Sequence, residues 1–146
     1  MLAKAAVLCL LVAACGGPDQ ATVAFKKGYV QASGPLEQTG AAIAVAIAQA
    51  RHRSDAQLAS EFSELADRFN TELLNLETLK APSSVSGAYA ALTAAANRLE
   101  DDLLAISTAA GHHNPTVART AVEGLVADAS TLNANAATIR HAVGIN

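Results

Sequence analysis

At 146 residues the chain is one domain long, enough to bury a core, and its formal charge of −3 excludes the basic surface that nucleic-acid binding requires. About half of it is hydrophobic, much of that alanine, and it has no Trp.

In chain order, residues 1–14 read as a signal peptide. Lys4 and the amino terminus give a weakly positive start, and Ala5–Ala14 (AAVLCLLVAA) forms the apolar region. That run is about half of the roughly 20 residues a membrane-spanning helix needs, and Gly16-Gly17-Pro18 prevents its extension. Val12-Ala13-Ala14-Cys15 resembles the lipobox of bacterial lipoproteins, in which small residues precede a cysteine. The resemblance implies that the Cys15 thiol takes a diacylglyceryl group, that cleavage occurs before it, and that the new amine receives a further acyl chain such as palmitate. Two or three chains anchor stably, whereas one alone is reversible. It also implies a site at the cell membrane or outer membrane, facing the extracytoplasmic side. Gly16 stands where some two-membrane bacteria place Asp to retain lipoproteins in the inner membrane. Cys9 leaves with the signal peptide, so the mature chain has no second thiol for an internal disulfide. It carries nine basic against thirteen acidic residues, a net of −4, so lipid rather than charge does the anchoring.

Residues 15–22 form a lipidated tether, and a helical bundle domain occupies 23–146. Its first helix is the least obvious, because Ala41–Ala50 alternates Ile43, Val45 and Ile47 with alanine in a strand-like manner. Alanine's helix preference decides for a helix. Phe25, Tyr29, Ala32, Leu36, Ile43 and Ile47 keep one face, with a kink expected at Gly34-Pro35. Ser54-Asp55-Ala56-Gln57 reads as a capping box opening the next helix. There Leu58, Phe62, Leu65, Phe69, Leu73, Leu76 and Leu79 form a stripe ending near Pro82, and Glu64 and Arg68 are spaced to pair across one turn. Over Ser84–Ala110, Tyr89, Leu92, Ala96, Leu99, Leu103, Ile106 and Ala110 step by three and four, with Gly111 the expected left-handed stop. Asn114 then caps and Pro115 opens a last helix. It is striped by Ala118, Val122, Leu125, Ala129, Leu132, Ala136, Ile139 and Val143 and closed by Gly144. The expected fold is all-α, an up-and-down four-helix bundle. The alternative is three long helices, should Arg51-His52-Arg53 fail to turn.

The chemical motifs are sparse. There is no Glu-x-x-His pair for a di-iron bundle, no Cys-x-x-Cys-His for haem, no His-Glu-x-x-His for zinc, no nucleophile elbow and no phosphate loop. No cofactor is expected, and the chain does not read as an enzyme. His52, His112 and His113 fall in turns that share one end of a four-helix bundle, making them the metal candidates, while His141 lies at the other end. Solvated turn residues are the simpler reading. Glu100-Asp101-Asp102 is expected on an outward face, and Asn70, Glu72 and Asn97 border the stripes where a pocket could form. The body resembles small alanine-rich helical lipoproteins, which implies no particular chemistry. The expectation is a lipid-anchored interaction or structural module of the cell envelope, with the membrane and an unidentified envelope protein as partners. The alternative is a bundle that binds a small ligand or metal, which an apolar cavity in the core would support.

Overall fold

The computed structural model describes residues 19–145, and the signal segment, Cys15 and the start of the tether lie outside them. Four helices follow one another: α1 Gln20–Gln49, α2 Asp55–Glu77, α3 Ser86–Gly111 and α4 Pro115–Ala142. The bundle is all-α as expected. Among the described residues no helix is long and apolar enough to cross a membrane.

Helix α1 starts three residues before Val23, because Asp19 caps it by accepting from the Thr22 N–H at 2.6 Å. It runs through Pro35 to Gln49. Pro35 deprives the Gln31 carbonyl of its partner one turn on, a defect worth about 3 kcal/mol. Both Gln31 and Pro35 face solvent, so water can serve that carbonyl. On the other side of the helix, Phe25 and Tyr29 before the proline and Thr39, Ile43 and Ala46 after it are buried. Large buried side chains contribute about 1.5–3 kcal/mol each, and together they outweigh the defect. The three-helix alternative is not realised. The chain turns through a single 3₁₀ turn at Ala50–His52, and Ser54 opens α2 with the full capping box. Gln57 N–H reaches Ser54 Oγ at 3.3 Å, and Ser54 N–H reaches Gln57 Oε1 at 2.9 Å.

Two details of the sequence reading are corrected. The left-handed residue ending α3 is His113, at φ 53°, while Gly111 is the last residue of the helix. Asn114 N–H reaches back to the Ala109 carbonyl and His113 N–H to that of Ala110, the paired bonds of a Schellman stop. The chain must reach Asn114, the next cap, in three residues, and this places the reversal one step beyond the helix's own last turn. Gly144, at φ 67°, closes α4 by the same pair of bonds. The second correction is on α2, where Arg68 pairs with Glu72 at 3.2 Å, not with Glu64, which accepts from Ser60. Glu72 offers Arg68 a partly buried partner, where Glu64 is exposed.

Polar clips fix the antiparallel register. Between α2 and α3, Asn97 donates to Glu77 at 3.0 Å, Asn70 to Glu100, and Ser107 to the Ala59 carbonyl at 2.7 Å. Between α3 and α4, Arg98 Nε and Nη2 both reach Asp128 Oδ1 at 2.8 Å. Thr39, wholly buried, ties α1 to α2 by donating to Glu72 at 2.9 Å. Among the described residues the α1–α4 pair is clipped by Lys26 to the Gly144 carbonyl and by Arg140 to Glu37 at 3.0 Å. It is looser than the α1–α2, α2–α3 and α3–α4 seams.

Candidate functional site

Beyond the Glu37–Arg140 clip the α1–α4 seam opens into a cleft of about 420 Å³. Its α1 wall is small, with Gly40, Ala41 and Ala44 following Leu36, and its α4 wall is Ala129, Leu132, Asn133 and Ala136. Here glycine and alanine face alanine, and the gap goes down to Phe69 and Leu76 of α2 and Leu92, Ala96 and Leu99 of α3. A second hollow of about 450 Å³ shares Gly40, Ala44, Leu99, Ala129 and Asn133 with the first and extends it past Ile47 and Leu125. The two form one slot. Each volume falls within the roughly 300–1,000 Å³ of small-molecule sites.

The slot is polar at one end. Tyr29 is 2 % exposed, yet its hydroxyl has no hydrogen-bond partner among the described residues. It lines the cleft with Ser33 and Glu37. Burial pushes the Tyr29 phenol up from its ordinary value, the neighbouring Arg140 guanidinium opposes this and Glu37 adds to it, so that hydroxyl stays a donor at neutral pH. Beyond this end, no charged residue occurs in α1 from Gln38 to Gln49 or in α4 from Ala129 to Ile139. A charge-free wall against another charge-free wall is the signal in the sequence that would have found the slot. Ala129, Leu132 and Ala136 stood in the apolar stripe of α4, but a stripe does not tell a packed seam from an open one.

The other candidates lie elsewhere. Asn70 and Asn97 are the α2–α3 clips. Glu72 lines a separate, shallower hollow with Gly28, Pro35 and Asn75. Its Oε1 takes both Thr39 and Arg68, while its buried Oε2 has no partner among the described residues. The acidic run does not share one outward face. Glu100 turns to Asn70, Asp101 is exposed, and Asp102 lies against Gly124 of α4. The turns holding His52 and His112-His113 do share an end. However, His113 Nδ1 contacts Asp55, and His52 Nε2 accepts from Arg51 Nε at 3.0 Å. Among the described residues no group of three His, Cys, Asp or Glu is placed to hold a metal ion. Cys15 lies outside the described residues. The chain matches no known protein-family model, and neither a curated protein nor a solved structure is similar to it.

Proposed function

We propose that the chain is a lipid-anchored, extracytoplasmic binding module of the cell envelope. Acyl chains on Cys15 hold it at the membrane, and its bundle holds an apolar molecule in the α1–α4 cleft and carries out no catalysis. The anchor rests on Val12-Ala13-Ala14-Cys15 and the short apolar run before it. The binding role rests on one observation, a mostly apolar slot of small-molecule size between α1 and α4. An interaction module for another envelope protein is the competing use of such a bundle, and it calls for a contiguous apolar surface. The large exposed hydrophobics Val23, Val30, Val45, Leu74, Leu104, Val117 and Val126 are instead spread over all four helices, so the cleft carries the proposal.

Two measurements test the two halves. Cys15→Ala should move the protein from the membrane fraction to the soluble one, or leave an unprocessed precursor. Wild-type fractionation and processing of this variant would remove the anchor from the proposal. Native mass spectrometry of the full chain ejected from detergent micelles should show a small apolar adduct that survives after detergent is stripped. A bare chain mass under conditions that preserve the fold counts against the cleft as a binding site.

A further inference from the structure

The polarity of the slot specifies more than its size. At the Tyr29 end two hydroxyls and the Glu37 carboxylate line the slot, and Glu37 brings the Arg140 guanidinium to its rim. The Tyr29 side chain is buried, its hydroxyl has no protein partner among the described residues, and it lies at the slot surface where a ligand can accept from it. The Ser33 hydroxyl lines the same end. Arg140 reaches Glu37 through Nη1, and both side chains of that pair are well exposed, at 42 % and 64 %. Exposed pairs of this kind are worth about 0–1 kcal/mol, so Arg140 is readily turned to a better-buried anion. A planar guanidinium beside a hydroxyl donor matches an oxyanion that accepts from both. From Gln38 to Ile47 the α1 wall is uncharged for ten residues, about 15 Å at ~1.5 Å per residue, and the lining is mostly apolar with Asn133 and Ser130 on the α4 side. That length suits an extended alkyl chain lying along the seam.

We infer that the cleft takes a single-chain amphiphile with a carboxylate head, the head at Tyr29 and Arg140 and the alkyl chain running between α1 and α4 toward Ile47. This rests on the binding-module reading and names its ligand class. Gly40 is the narrow point of control, because it lines both halves of the slot. A Cβ built on it meets nothing within 4 Å, so a larger side chain there enters the slot without a clash.

The test uses the full chain in phosphatidylcholine vesicles, labelled by a fatty acid bearing a photoactivated diazirine in its alkyl chain and mapped by peptide mass spectrometry. The expected label falls on the α1 segment 40–47 and the α4 segment 125–136. Dodecanoate should compete for it at about tenfold lower concentration than dodecanol, and Arg140→Gln and Tyr29→Phe should each erase most of that difference. Gly40→Leu should lose the cleft label while melting at or above the wild-type temperature, since it replaces a mid-helix glycine. Gly34→Ala, a helix-interior change outside the slot, should label as wild type. If dodecanol competes as well as dodecanoate and the Arg140 and Tyr29 variants are unaltered, the carboxylate assignment is overturned while the cleft still binds. If the label avoids both segments, or persists in Gly40→Leu, the cleft reading and this inference fail together.

Discussion

His113 shows how a single residue is held against its own preference. A left-handed backbone costs an L-residue about 1–2 kcal/mol, and His113 adopts it at φ 53° because Asn114 and Pro115 must start α4 immediately. Its compensation is the contact of Nδ1 with Asp55, but both side chains are exposed and such contacts are worth little. The backbone term is therefore the larger. His113→Gly should stabilise the bundle by about 1 kcal/mol, seen as a raised midpoint in urea, whereas His112→Gly, at a negative φ, should not. Gly111 drew the sequence reading because glycine is the usual left-handed residue. Only the placement of the next cap reveals which residue has to turn.

Between elements, the α3–α4 contact is set by Gly124. A Cβ there would lie 2.8 Å from Asp102 Oδ2, so glycine lets the carboxylate of α3 sit directly against the backbone of α4. That position is not favourable to the charge. Burial raises the Asp102 carboxyl above its ordinary value of 3.8, Asp128 across the seam and Asp101 raise it further, and Arg98 lowers it. A carboxyl raised in the folded state holds its proton more tightly there than in the unfolded chain. Below pH 3.8 both states are protonated and nothing is lost. As pH climbs through the window above 3.8 the folded state loses stability relative to the unfolded one. Asp102→Asn should therefore melt higher than wild type at pH 7, with the gap closing as the pH is brought below about 4. Equal melting temperatures at pH 7 would show that Arg98 offsets the burial in full.

At the scale of the whole molecule, the helices are not equally committed to the core. Helix α3 buries Leu92, Ala95, Ala96, Leu99, Leu103 and Ile106 and is clipped on both sides, to α2 and to α4. Helix α1 packs chiefly on α2, carries a proline in its interior, and borders the open slot. Local opening follows packing density. Amide exchange should therefore be faster in α1 between Thr39 and Gln49 than in α3 between Leu92 and Ile106, and a ligand in the slot should slow the first and leave the second nearly unchanged. Uniform protection across all four helices would mean that the α1–α4 seam is as well consolidated as the others.

The amino-acid sequence by itself determined the four helices, the capping box at Ser54, the Asn114-Pro115 start and the large-residue stripes. Each of these is a local matter of side chains three or four residues apart competing for the same turn or face. Pro35 was legible as a perturbation inside one continuous first helix, and the tertiary structure adds the burial of Phe25 and Tyr29 before it and of Thr39, Ile43 and Ala46 after it. The polar residues beside the stripes were visible as candidates, yet their partners were not. Asn70 finding Glu100, Glu72 finding Thr39 and Arg68 choosing Glu72 all depend on which faces meet across a register. The cleft belongs wholly to the tertiary structure. Gly40, Ala44, Ala129 and Ala136 are ordinary helix residues in each strip of sequence. The charge-free runs Gln38–Gln49 and Ala129–Ile139 are legible, but they make a site only because α1 and α4, farthest apart along the chain, are brought side by side.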